Sequence, residues 1–144
     1  MNSRSLARIL DELAHAEQRS ILPRLQESTV FISWASTDEA DAVKKMVAEQ
    51  REHLAWLIEL TNSLGESPTP CALDMGSTNI HYLELNYLMP RVIQDKHNLI
   101  QLYERSMPSV AGYAEAEALV ARILERHRAQ LATLEQLGQQ LEAA

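Results

Sequence analysis

The chain has 144 residues, of which 46% are hydrophobic, and a formal net charge of −7 at pH 7. This length is typical of a single domain with its own core. The acidic balance excludes a nucleic-acid backbone as the main partner, because phosphates attract basic surfaces. The single cysteine, Cys71, excludes an intrachain disulfide. A polar start and the lack of an apolar run of about 20 residues indicate a cytoplasmic protein with no membrane contact.

The elements predicted in chain order are all α-helices, because apolar residues recur every three or four positions and strand-like alternation is nowhere sustained. The first helix is bent at Pro23, and the second follows a capping box at 36–39 and stops at Gly65. Pro90 should kink the third helix, and Pro108 should end it. The predicted bounds of the four helices, within one domain of residues 1–144, are 5–32, 37–64, 79–107 and 111–141.

The loop lengths predict how these helices are connected. Helices one and two are joined by a few residues, as are three and four, so each pair should be an antiparallel hairpin. Residues 65–77 form a longer loop that can reach about 43 Å, while the second helix is about 42 Å long. We therefore predict a four-helix bundle of two antiparallel hairpins joined by a long crossover loop.

Each helix carries one polar residue inside its apolar stripe. These residues are Glu17, His53, Asp95 and His127, in helices one to four. With the crossover, the rise of about 1.5 Å per residue places all four near one level at mid-bundle. Buried imidazoles and carboxylates need partners, and together they suit a divalent metal ion. The four are therefore our candidate ligands.

The segment Glu49-Gln50-Arg51-Glu52-His53-Leu54-Ala55-Trp56-Leu57 resembles a second helix of the ferritin-like superfamily, particularly its rubrerythrin and bacterioferritin branch. The resemblance implies a bundle in which helices one and three each supply a Glu, helices two and four each supply Glu-x-x-His, and the set holds two irons. Glu17 and Asp95 match the lone carboxylates, and the histidines match those of the motif. Gln50 and Leu124 stand where the resemblance implies bridging carboxylates.

Three interpretations of this degenerate motif stay open. One divalent ion (iron, zinc or manganese) binds the four candidate ligands. Alternatively, no metal binds and the imidazoles hydrogen-bond the carboxylates in a polar core. A dinuclear site would have to recruit Glu49 or Glu52, which lie outside the stripe. The function is accordingly either a metal-binding oxidoreductase or metal-handling protein, or a helical module acting through a partner. Di-iron oxidase chemistry is expected to be absent, and the substrate and any other protein partner stay undetermined.

Tyr103 is expected to be a helix-packing residue. A second set of apolar residues lies off the main stripes. Contiguous apolar surface of this kind usually marks an interface, so we expect a homodimer. The off-stripe residues are Ile9, Leu22, Ile58, Ile93 and Ile100.

Overall fold

The computed structural model describes residues 2–20, 37–69 and 85–143. Within these ranges the chain forms four α-helices, and no strand occurs among them, which confirms the predicted all-α four-helix bundle. Two predicted features lie outside the described residues: the end of the first helix with Pro23, and most of the crossover with the start of the third helix. The helices are α1 (Ser3–Arg19), α2 (Thr37–Ser63), α3 (Leu85–Val110) and α4 (Ala114–Ala143).

Local sequence signals account for several of the helix ends. Asn2 caps α1, because its side-chain oxygen accepts a hydrogen bond of 2.9 Å from the backbone N–H of Ser5. Gly65, after α2, and Gly112, between α3 and α4, adopt φ angles of 81° and 93°, which favour glycine. The third helix differs from the prediction, since it continues through Pro108 to Val110. Pro108 deprives the Glu104 carbonyl of its helical N–H donor, but it lies two residues before the end of α3, so the disruption is confined to the last turn.

Contacts between α1 and α3 show that these helices are antiparallel. Tyr103 donates a hydrogen bond to Glu17, while Asp95, earlier in α3, accepts one from Ser20, later along α1. The turn between α3 and α4 is only three residues long, at 111–113, so these two helices are antiparallel as well. Consequently α1 and α4 point in the same direction.

Contacts between α2 and α4 fix the direction of the remaining helix. Gln130 reaches the backbone oxygen of Met46, whereas Arg126, earlier in α4, lies 3.7 Å from Glu52, later in α2. This pair is antiparallel, so α2 and α3 run in the same direction. The predicted crossover requires this parallel direction of α2 and α3. The first residues of this connection lie against α1, where the backbone N–H of Thr69 donates to the Asp11 carboxylate.

The bundle interior is lined by the apolar stripes of all four helices. Complete burial of a leucine or isoleucine side chain contributes about 1.5–3 kcal/mol, so these stripes are the main source of stability. Of the off-stripe residues, Ile100 belongs to this core and is only 6% exposed, so it cannot serve a dimer interface; Ile9, Ile58 and Ile93 are half-buried. No helix in the described part of the chain is long and apolar enough to cross a membrane. Fully buried core residues include Leu10, Leu13, Val47, Leu57, Val120, Ile123 and Leu134.

Candidate metal centre

Three side chains from three helices converge at the middle of the bundle. Glu17 of α1, His53 of α2 and His127 of α4 each offer one ligand atom, and these atoms lie within 4.8 Å of one another. Glu17 is 2% exposed and both imidazoles are completely buried. The structure therefore brings together three of the four residues that we predicted as ligands.

The Glu17 carboxylate is the centre of this cluster. Its Oε1 accepts hydrogen bonds of 2.7 Å from His127 Nε2 and from the Tyr103 hydroxyl, and its Oε2 accepts one of 2.9 Å from Gln50 Nε2. Burial by itself raises the pKa of Glu17. The charge and hydrogen bond of His127, with the charge of the nearby His53, outweigh it and hold the pKa well below the ordinary 4.5. Glu17 is consequently a buried carboxylate anion.

His53 lacks the hydrogen bonds that a buried imidazole requires. Neither ring nitrogen has a hydrogen-bond partner within the described residues, and Nδ1 lies 3.4 Å from Glu17 Oε1 without bonding geometry. The ring packs against Trp56 at 5.7 Å and edge-on against His127 at 4.9 Å, measured between centroids. A buried polar group without a partner costs about 1–3 kcal/mol, so the cluster offers a ligand whose lone pair is unused.

Lys96 of α3 reaches into the same polar region and is only 1% exposed. Its Nζ lies 2.6 Å from Gln130 Oε1, 2.9 Å from His127 Nδ1 and 3.3 Å from Gln50 Oε1. Burial lowers the pKa of Lys96 from 10.5 to about 8, while the negative charges of Glu17 and Asp95 oppose this shift. At neutral pH the side chain is therefore mainly an ammonium ion.

The two neighbours of His127 determine its protonation. An ammonium group can only donate, so Nδ1 accepts from Lys96 and carries no proton. The proton of the neutral ring therefore lies on Nε2, where it is donated to Glu17. In agreement with this assignment, burial lowers the pKa of His127 below 6.5.

Asp95, the fourth predicted ligand, does not join the cluster. It is half-buried, and its Oδ2 accepts a hydrogen bond of 3.0 Å from Ser20 Oγ. Between the buried residues Val92 and Leu99, positions 95 and 96 both fit helical spacing, and Lys96 is the one that faces inward. The prediction for α3 was therefore wrong at position 95, while Val92 and Leu99 face inward as the stripe predicts.

The remaining predicted neighbours divide between the polar cluster and the surrounding core. Gln50 lies beside the cluster and is hydrogen-bonded to Glu17, whereas Leu124 belongs to the apolar core. Glu49 and Glu52 instead face Arg126, at 3.8 and 3.7 Å. Neither carboxylate belongs to the Glu17–His53–His127 cluster.

Sequence reasoning missed Lys96 and Gln130 and treated Tyr103 only as a packing residue. The signal was present, because Val92, Lys96, Leu99 and Tyr103 follow one another at steps of four, three and four. Lysine is rarely buried without a partner, so a stripe containing it is easily rejected.

Acidification should destabilise the fold through Glu17 and His127. Both pKa values are lowered by folding, so the unfolded chain binds more protons below about pH 6.5 from the histidine and below about pH 4.5 from the carboxylate. Each excess proton should remove about 1.4 kcal/mol of unfolding free energy per pH unit. Urea unfolding between about pH 7 and pH 4 measures this slope, with His127→Gln as the comparison. An equal slope in the variant between pH 6.5 and 4.5 would contradict the assignment.

Comparison with solved structures places this arrangement in a known fold. The chain is similar to the Desulfovibrio desulfuricans bacterioferritin, whose structure was described for its diiron site, with a TM-score of 0.83, 16% identity and coverage of 98% of this chain and 82% of that one. It is also similar to a ferritin-like diiron-carboxylate protein from Bacillus anthracis, with a TM-score of 0.73, 16% identity and coverage of 94% and 96%. The ferritin-like fold implied by the sequence resemblance is thereby confirmed. No protein-family profile matches the sequence, and a search of curated proteins finds no match.

Proposed function

We propose that this ferritin-like bundle binds one divalent metal ion through Glu17, His53 and His127. The observation that carries this proposal is the buried His53 ring, whose two nitrogens lack hydrogen-bond partners among the described residues although the Glu17 carboxylate lies 3.4 Å away. Two imidazoles and one carboxylate are a donor set suited to Fe(II), and also to zinc or manganese. A bound ion would supply Lewis-acid chemistry and, for iron, redox chemistry.

The residues around the three ligands support one ion rather than two. Two irons in a ferritin-like site need carboxylates from all four helices, because these neutralise the metals and bridge them. At the positions that the resemblance assigns to the bridges, this chain has the neutral amide of Gln50 and the alkyl chain of Leu124. The inward position of α3 holds the cation Lys96. Among the described residues, Glu17 is the one anion in the cluster, and one anion does not balance two dications.

A metal-free bundle is the second candidate function, and one observation favours it. Glu17 already accepts three hydrogen bonds, and Lys96 supplies a buried positive charge nearby, so the core has little net charge without a metal. In that case the protein would act through its surface, as a homodimer or with another protein. The half-buried Ile9, Ile58 and Ile93 are the described residues available for such an interface.

Metal titration separates the two candidates. Protein purified without chelator should bind Fe(II), Zn(II) or Mn(II) at one ion per chain, measured by calorimetry and by elemental analysis after desalting. His53→Ala removes a ligand and should abolish stoichiometric binding. His97→Ala is the matched control, because His97 is half exposed and lies near Glu135 on the bundle surface. Absence of binding with all three metals would favour the metal-free alternative, and equal binding by His53→Ala would show that His53 does not hold the ion.

A further inference from the structure

The polar region beside Glu17 contains a second, differently built group of ligand atoms. Gln50 Oε1, His127 Nδ1 and Gln130 Oε1 converge on one point between α2, α3 and α4, at 3.3, 2.9 and 2.6 Å from Lys96 Nζ. All four of these side chains are at most 3% exposed. The ammonium group has three N–H donors, and the structure provides three acceptors for them.

The orientation of the acceptors is determined by their other hydrogen bonds. Gln50 donates its amide Nε2 to Glu17, so its oxygen is the atom left to face Lys96. His127 donates Nε2–H to the same carboxylate and presents Nδ1 to the ammonium. Gln130 donates to the Met46 carbonyl and likewise presents its oxygen. The neutral side chains of Gln50 and His127 thus connect the Lys96 cation to the Glu17 anion. Each turns its acceptor atom toward the cation and its N–H donor toward the anion.

From this geometry we infer that Lys96 is a built-in cation filling a cation-binding subsite formed by Gln50, His127 and Gln130. If its side chain is cut back, the subsite will bind a small primary ammonium ion. A water molecule does not replace the lysine, because it has two donors where three acceptors converge and it carries no charge to balance Glu17. The subsite shares His127 with the proposed metal site and belongs to the metal-free chain, because coordination of an ion by Nε2 of the neutral ring would place the ring proton on Nδ1, which then could not accept from Lys96.

Chemical rescue of Lys96→Ala tests this inference. The substitution removes the atoms beyond Cβ, which correspond to n-propylammonium, and should lower the melting temperature by roughly 10 °C because a buried anion loses its cation. n-Propylammonium chloride should restore at least half of that loss. n-Propanol, of similar size but neutral, and tetramethylammonium chloride, charged but without N–H donors, should not. Lys45→Ala, at an exposed position of α2, is the control and should respond to none of the three.

The rescue is measured with and without chelator, so that failure of the metal proposal leaves its outcome unchanged. Restoration by propanol as good as that by propylammonium would show only cavity filling and would overturn the inference. If Lys96→Ala does not fold, nitrogen-15 NMR of the unmodified protein decides. Lys96 should give a slowly exchanging ammonium signal with a coupling to His127 Nδ1, while Lys44 and Lys45 exchange fast. A rapidly exchanging Lys96 signal would also overturn the inference.

Discussion

Glu17→Gln is expected to lower the free energy of unfolding by about 3–5 kcal/mol, the usual effect of removing one member of a buried charged pair. Glu17 accepts hydrogen bonds from Gln50, Tyr103 and His127, and its charge balances that of Lys96. A glutamine has the same shape but directs an amide N–H₂ toward donors and leaves the ammonium without its counter-charge. Urea unfolding followed by circular dichroism measures the loss.

The surface of the same helix provides the control for this experiment. Glu12→Gln removes the same charge at an exposed position of α1 and should change the stability by no more than about 0.5 kcal/mol. Equal stability of the Glu17 and Glu12 variants would show that the buried carboxylate is not the centre of the polar cluster. The double variant Glu17→Gln/Lys96→Met tests the coupling, because it removes both charges and should lose less than the sum of the single losses.

The overall fold could be predicted because it depends on features that a sequence displays directly. Apolar residues at helical spacing, the capping box before α2 and Gly65 after it mark helices whose positions depend little on tertiary context. The crossover was predicted from chain length, since residues 65–77 are enough to span the bundle, and from the matched heights of the polar residues in the four stripes. The sequence did not predict that α3 continues through Pro108. The free-energy cost of a proline in a helix depends on whether the last turn retains its other hydrogen bonds when it is packed.

The candidate metal centre could be predicted only in part. The difference between the residues that were predicted and the one that was not has a physical basis. Glu17 and His127 each lie between apolar residues of a stripe, and His53 lies between Gln50 and Leu57, so helical phase makes all three internal. In α3, two adjacent polar residues compete for one internal place, and phase does not choose between Asp95 and Lys96. The choice depends on what the other helices supply: Gln50, His127 and Gln130 accept an ammonium group, and no single helix reveals this.

Rebuilding the carboxylate set should raise the metal content from at most one ion per chain to two. The triple variant Gln50→Glu/Lys96→Glu/Leu124→Glu supplies an inward carboxylate from α2, α3 and α4 to join Glu17 of α1. Its four negative charges balance two Fe(II) ions, and two of the new groups stand at the bridging positions of the resemblance. Iron per chain after anaerobic loading and desalting measures the stoichiometry, and the absorbance change on adding dioxygen measures oxidation. The unmodified protein should not oxidise iron rapidly, whereas the triple variant should oxidise it rapidly.

The double variant Gln50→Glu/Leu124→Glu, which keeps Lys96, shows which residue limits the metal number. The new carboxylate at position 50 lies beside a buried ammonium group, since Gln50 Oε1 is 3.3 Å from Lys96 Nζ, and charges at about 4 Å attract strongly when water is excluded. Lys96 should therefore pair with this carboxylate and keep a second dication out, so that the iron content stays at one per chain. Two irons in this double variant would mean that the ammonium group is no barrier and that the bridging carboxylates alone decide. Two tightly bound irons in the unmodified chain would overturn the single-ion site itself. Glu17, the one carboxylate in the described buried cluster, would then have to hold both irons, which the charge argument excludes.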